Sequence, residues 1–355
     1  MITNKKILIS VPDLSLPGGV TGLFNLLKLN DYKNIIYFSV NFNSKKWSVL
    51  FLPFVYLKFI FKVKTFDVVH LNPSLDVKSF YRDLVFCFLS KVIFKKKTIV
   101  YWHGWQSDFF DNLYNSKIKT KIFQISFGKS DCQIVLANKF LYDLKKIGYN
   151  GQIFLESNVT EKVDLPEFDN ENIRFKNQWN LLYLSRITKG KGWEIAIKTI
   201  EILNDLGYDN IKLIIAGDGD CLKEAKELVT KNKINNILFK GYVNGKTKCD
   251  LLKKSHILFF PTCYPEGMPI TILEGMMYGL PIISRKEGGI PDHIIDKDNG
   301  FITDSIDPVF FSEKIIELIS NQNLYLNIRK NNILKAQENF VPERLIKMLF
   351  KIYYE

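Results

Sequence analysis

Short apolar runs recur along the chain, spaced so that a helix fits between most of them. In the first half they fall at 7–11, 35–40, 68–71, 98–102 and 134–136. They are continuous rather than alternating and rich in β-branched residues, as expected of strands buried on both faces of a parallel sheet. The pattern pauses at 158–172 (NVTEKVDLPEFDNEN), a polar, acidic, proline-containing stretch that reads as an interdomain linker. A second series follows at 181–184, 212–216, 237–239, 257–260 and 281–284, with helices predicted over 194–204, 222–232, 246–254 and 270–278. Residues 341–355 read as a closing helix. The predicted class is α/β, with two Rossmann-like domains, 1–160 and 173–340, facing a cleft.

A length of 355 residues suits two such domains. At 46% hydrophobic and 24% charged, the composition excludes a disordered chain, and 20 Gly with 12 Pro exclude a collagen-like or low-complexity one. The five cysteines, Cys87, Cys132, Cys221, Cys249 and Cys263, form no CxxC pair, which argues against a disulfide framework or a zinc site and fits a reducing cytoplasm. The apolar run at 7–11 is too short for a signal-peptide core, and no stretch is apolar for long enough to predict a transmembrane helix.

Charge changes the picture most. The net +12 lies entirely in residues 1–160, with 22 Lys/Arg against 10 Asp/Glu, while 161–355 hold 27 of each. A basic half predicts an anionic partner: a nucleic acid, an acidic membrane or a phosphorylated ligand. Residues 45–64 (KKWSVLFLPFVYLKFIFKVK) combine a dense aromatic and aliphatic run with Lys45, Lys46, Lys58, Lys62 and Lys64. This segment reads either as an interfacial helix with lysines on anionic headgroups or as a core helix with solvated ends. Lys91 and Lys95 to Lys97 would extend the same surface or cap a helix end.

Three loops after predicted strands carry candidate chemistry. Gly18 and Gly19 follow the first strand, where glycines let backbone N–H groups approach a phosphate, although a simple tight turn fits as well. SRITKGKG at 185–192 places Arg186 and Lys191 at the mouth of a sheet; a planar fork and a point charge together suit a diphosphate. The third is YPEGMPITILEGMMYGLP at 264–281. There Pro269 suits the first turn of a helix, and the N–H groups of 268–271 would face the cleft. Glu266 would lie in the loop and Glu274 one turn into the helix. As acceptors they would suit sugar and ribose hydroxyls; as helix-start acids they would simply answer the dipole.

Other patterns are weaker. Gly217-Asp218-Gly219 lacks the third glycine of a dinucleotide fingerprint, and Asp218-Gly219-Asp220 reads as a strand-to-helix turn rather than a metal site. His70, His256 and His293 have no metal spacing. His70, ending the strand in VVHLN, reads as structural, with a place at the cleft border as the alternative.

Glu266-x7-Glu274 with SRITKGKG resembles family 4 of the retaining GT-B glycosyltransferases (glycosyl transferases group 1). Matching pieces stand in the same order: GGV at 18–20, His103-Gly104, Ala216 to Gly219, Gly241 to Val243, Gly288 to Asp292 and Asn299 to Phe301. The resemblance covers most of the chain and is densest from 181 to 302. It implies that Arg186 and Lys191 hold the donor diphosphate, that Glu274 binds the nucleotide ribose and that Glu266 meets the donor sugar near the reacting carbon. It further places Gly267, Met268, Pro269, Ile270 and Thr271 around sugar and phosphate, Gly18 and Gly19 against the diphosphate, His103 beside the transferred sugar, and Gly217 and Tyr242 near the nucleotide.

The implied enzyme is a retaining hexosyltransferase, with Glu266, His103, Arg186 and Lys191 as its catalytic set. It takes a nucleotide diphosphate-sugar, UDP favoured over GDP, as co-substrate and needs no metal. The acceptor expected is a saccharide or a polyprenyl-diphosphate-linked saccharide, in bacterial surface polysaccharide assembly (O-antigen, capsule or lipopolysaccharide). The 1–160 domain would bind it, with 341–355 crossing back onto that domain. The expected location is cytoplasmic, peripheral on the inner membrane face, with no nucleic acid as partner. The alternatives are a sugar phosphorylase, a sugar-nucleotide epimerase or a basic nucleic-acid-binding protein. The chain departs from the family at Ser185, commonly Gly, and at Met268-Pro269, often Phe-Gly. Pro269 lacks an N–H, so one donor to the sugar is missing.

Overall fold

A computed structural model describes residues 5–16, 18–40, 51–163 and 178–355. They divide into two compact units. The first gathers the chain up to Val159 with Pro265–Met268 and Pro342–Glu355; the second comprises Thr160–Tyr264 and Pro269–Val341.

The first unit is built on a parallel sheet of β1 (Ile7–Val11), β2 (Ile35–Ser39), β3 (Val68–Leu71), β4 (Lys97–Tyr101), β5 (Cys132–Val135) and β6 (Gln152–Leu155), in the order β2-β1-β3-β4-β5-β6. β1 and β3 are buried along their whole length, which is why their sequences are apolar without alternation. Asp76 starts the helix Val77–Phe88 by accepting from the N–H groups of Lys78 and Ser79. The C-terminal helix Pro342–Tyr354 belongs to this unit: the hydroxyl of Tyr353 lies 2.6 Å from His70 Nδ1, and Arg344 grips buried Glu156 at 2.7 and 2.8 Å.

The second unit repeats the plan with β7 (Trp179–Leu184), β8 (Ile211–Ala216), β9 (Ile237–Gly241), β10 (Ile257–Phe260), β11 (Ile282–Arg285) and β12 (Gly300–Thr303), all parallel, in the order β12-β11-β10-β7-β8-β9. Its core joins Leu181, Tyr183 and Ile215 of the sheet to Ile197 and Ile200 of the helix Trp193–Asp205 and to Phe311 and Ile315 of the helix Pro308–Ser320. Two parallel six-stranded sheets with helices are the architecture the apolar pattern anticipated.

Some boundaries and elements differ. The runs at 98–102 and 134–136 end one residue early as strands, because Trp102 and Leu136 are buried beyond the last strand residues Tyr101 and Val135. β6 was not marked by its pattern: it is a four-residue edge strand with exposed ends. β12 was not marked either, because it starts on Gly300, where a Cβ would lie 1.9 Å from the Ile282 carbonyl. The helices Pro308–Ser320 and Gln322–Asn339 also went unmarked.

The expected linker is packed where it begins. Val159 and Thr160 are buried, and Thr160 N–H donates to Phe340 O at 2.9 Å; positions 164–172 lie outside the described residues. Of the 45–64 segment, 45–50 lie outside them too. The remainder forms the helix Leu52–Val63, which buries Val55, Phe59 and Val63 and exposes Phe54, Leu57 and Phe61. No helix among the described residues is long and apolar enough to cross a membrane.

Candidate active site

Strand order in the second sheet reverses between β7 and β10, and ligands of open α/β sheets bind outside the carboxyl ends of the strands at such a switch. The chain leaves β7 through 185–192 and β10 through 261–264. These two loops touch backbone to backbone. Cys263 N–H donates to Gly190 O at 2.7 Å, and Gly192, with φ +79°, comes so close that a Cβ would stand 1.9 Å from Pro261 O. The strand-to-helix turn after β8 supports them from below. Ser185 N–H donates to Ala216 O (3.1 Å) and Ile187 N–H to Asp218 O (3.0 Å), while a Cβ on Gly217 would lie 1.7 Å from Ser185 O. Close backbone approach therefore explains both Gly192 and Gly217.

This scaffold turns Lys191 inward. It is only 7% exposed, its Nζ lies 4.2 Å from the centroid of the Tyr264 ring, and the Tyr183 hydroxyl donates to its carbonyl at 3.1 Å. The guanidinium carbon of exposed Arg186 lies 6.0 Å from the same ring. Two cations thus lie near one aromatic ring, whose quadrupole attracts each of them. Tyr264 stands in the motif, yet no role follows for it from spacing; only the fold shows it beside the two charges.

The helix Ile270–Met277 begins at the residue expected, but Pro269 does not lie within it. Pro269 is extended (φ −65°, ψ 124°) and precedes the first turn instead of occupying it, and no side chain caps the start. Ile270 and Thr271 open the helix, so their N–H groups belong to its uncapped first turn. Glu274 is buried one turn in, and its Oε1 pairs with Nζ of Lys248 from the helix Gly245–Lys254. Burial pushes the Glu274 carboxyl up, and Lys248 opposes that rise. Tyr242 stands exposed just past β9.

In the first unit the order reverses between β1 and β3. Asn72, just past β3, spans this switch. Its Nδ2 donates to Ser10 O at 2.7 Å, its N–H donates to Ser10 Oγ at 3.1 Å, and its Oδ1 lies 2.7 Å from Nε2 of His103. With the amide end of Asn72 committed to a carbonyl, its oxygen must accept, so Nε2 of His103 carries the proton and Nδ1 the lone pair. Burial, with His70 as the lesser cause, pulls the His103 imidazole down to about 3, so it is neutral at physiological pH. Nothing in the sequence marked Asn72 except its place as the first polar residue after a buried strand.

Three further predicted pieces gather in this unit. Glu266 and Met268 are buried, and Asn158 Nδ2 donates to Met268 O at 2.6 Å. A Cβ on Gly267 would lie 2.8 Å from Leu136 Cδ1 and 3.0 Å from His103 O, so only glycine fits there without displacement. Gly18 precedes the helix Gly19–Leu27 in extended backbone, and a Cβ on Gly19 would meet nothing within 4 Å. Phe24 of that helix packs edge-on to His103, with ring centroids 6.2 Å apart. His70 is fully buried against Tyr353 and serves the core, as its structural reading anticipated. Among the described residues no three His, Cys, Asp or Glu side chains converge to hold a metal ion.

Residues 165–335 match the family model for glycosyl transferases group 1. That stretch, a little under half of the chain, is similar to the glycosyl transferases group 1. The chain is also 28% identical over 328 residues to an uncharacterized glycosyltransferase of Methanocaldococcus jannaschii, covering 88% of this chain and 79% of that one. Among solved structures it superposes on Anabaena HepE, crystallised with UDP and glucose, with a TM-score of 0.76, 16% identity and 98% of each chain covered. It likewise superposes on the apo form of the lipopolysaccharide outer core galactosyltransferase WaaB, with a TM-score of 0.65, 17% identity and 98% and 99% covered. These likenesses give the chain its fold, GT-B.

Proposed function

We propose that the chain is a group 1 glycosyltransferase that moves a sugar, with retention of anomeric configuration, from a nucleoside diphosphate-sugar to a saccharide or lipid-linked saccharide. The observation that carries this reading is the pair Arg186 and Lys191 held over Tyr264 at the β7/β10 switch. A departing nucleoside diphosphate gains negative charge as the glycosidic bond breaks. Two fixed cations and the uncapped first turn of Ile270–Met277 stabilise that charge without rearranging and without assigning a metal any role. Glu274 accepts the ribose hydroxyls, and Gly217 and Tyr242 lie toward the nucleoside. Glu266 and the 267–271 backbone take the sugar, and Gly19 meets the diphosphate from its helix start.

His103, neutral and with a lone pair at Nδ1, accepts a sugar hydroxyl rather than donating a charge. No carboxylate is assigned as a nucleophile. The acceptor attacks from the face of the leaving group, and a donor phosphate oxygen takes its proton.

UDP is the favoured nucleotide because HepE was crystallised with it, and a surface-polysaccharide acceptor is favoured by the likeness to WaaB. The basic charge of residues 1–160 further favours an acceptor carried at the inner face of a membrane.

Thermal shift with UDP, GDP and their sugars tests the reading, since only ligands of the native state raise the melting temperature. A rise with UDP-sugars that Lys191→Met abolishes is expected. No shift with any nucleotide would sink the proposal, and loss of transfer in chelator would sink its metal-independent part.

A further inference from the structure

The ribose role given to Glu274 raises a physical difficulty. The carboxylate is buried, and an isolated buried carboxylate takes up a proton and loses acceptor capacity. A protonated Glu274 accepts poorly from a diol. Glu161 also faces it and repels, and Tyr278 and Cys249 lie nearby, so neither its own helix nor the segment after β6 supplies a compensating charge. Lys248 does. It rises from the first turn of the helix Gly245–Lys254 and pairs with Oε1 of Glu274. A carboxylate offers about four lone-pair sites, so one ammonium leaves acceptors for two hydroxyls. The lysine side chain is also the more exposed partner, 30% against 11%, and so stands on the solvent side of the pair.

We propose that Lys248 is a positioning residue for the nucleotide, holding Glu274 ionised and aimed so that it accepts the ribose hydroxyls. The inference rests on the ribose role of Glu274 given above. It makes nucleotide affinity depend on an ion pair between the β9 and β10 helices, outside the motif that contains Glu274.

The test is calorimetric titration of the full chain with UDP and GDP at pH 6 and pH 8. Lys248→Gln is expected to weaken binding of the preferred nucleotide about tenfold or more at pH 6, on the scale of a lost charge-assisted hydrogen bond, and less at pH 8. The sign follows from linkage: without the ammonium the carboxyl protonates at higher pH, so acceptor capacity falls as pH falls. Lys248→Arg, which keeps the charge, should bind within about threefold of the parent. Lys248→Met keeps the stem packing and carries the same expectation as Lys248→Gln should the latter fold poorly.

In Glu274→Gln the pH dependence should vanish, and adding Lys248→Gln to it should cost nothing further. Equal binding by parent and Lys248→Gln at both pH values, or additive losses in the double variant, would overturn the inference while leaving the donor reading intact. Failure of the parent to bind either nucleotide would overturn both.

Discussion

Asn72 fixes the proton of His103. Its Oδ1 lies 2.7 Å from Nε2 of the ring, and its Nδ2 is anchored to Ser10 O at 2.7 Å, so the amide cannot turn to offer a donor without breaking a buried bond. Three strand ends, those of β1, β3 and β4, are thereby tied to one tautomer. Asn72→Asp replaces that oxygen with a carboxylate oxygen and should draw the imidazole from about 3 toward the ordinary histidine value near 6.5. Transfer, or donor hydrolysis, should then fall as pH drops through that range, while the parent stays flat. NMR titration of the His103 ring protons checks it directly; a midpoint still near 3 in Asn72→Asp would refute the coupling.

Two glycines separate folding from binding. Gly192→Ala forces a side chain into φ +79° and against Pro261 O, and should cost about 3 kcal/mol in denaturant unfolding. Gly19→Ala meets nothing within 4 Å and sits in a helix, so stability should hold or rise slightly. If a diphosphate occupies the open space over Gly19, the same substitution should raise the KM for donor severalfold, as a methyl displaces a backbone–phosphate contact of about 1–3 kcal/mol. An unchanged KM would remove Gly19 from the site.

Acid should destabilise the first unit through His70. Burial holds its imidazole at about 3, and the unfolded chain titrates near 6.5. The unfolded state therefore binds more protons in between. Stability is full above pH 6.5 and is lost as pH falls toward 3, by about 2 kcal/mol at pH 5. Denaturant midpoints between pH 7 and 5 measure this, and His70→Gln should roughly halve the slope, the rest coming from His103, whose imidazole burial also holds at about 3. Tyr353→Phe, which removes the hydroxyl at 2.6 Å from Nδ1, should lower stability by about 1–2 kcal/mol with donor KM unchanged.

The helix Leu52–Val63 has one buried face and one exposed face. Val55, Phe59 and Val63 serve the core, while Phe54, Leu57 and Phe61, the last 71% exposed, face solvent beside Lys58 and Lys62. Exposed Ile93 and the Lys64 and Lys96 side chains lie on neighbouring turns, with Lys96 Nζ 3.1 Å from Lys64 O. Flotation with phosphatidylglycerol vesicles should carry the protein upward, and Phe54→Ser with Phe61→Ser should abolish it without loss of fold. Equal recovery with neutral and anionic vesicles would exclude an electrostatic membrane surface.

The sequence alone determined the two parallel sheets, because strands buried on both faces must be apolar without alternation. It also determined the candidate cations and carboxylates, because their loops follow those strands within a few residues. Local order carries such information. β6 and β12 escaped it: one is a short half-exposed edge and the other begins on glycine, so neither shows a long apolar run.

Tertiary structure alone decided which neighbours those residues meet. Tyr264 lies more than 70 positions from Lys191, Lys248 pairs across two helices with Glu274, and Asn72 joins Ser10 to His103. Each is a contact between residues that belong to, or follow, different strands. Charge, tautomer and burial depend on which neighbours arrive, and spacing along the chain does not specify them.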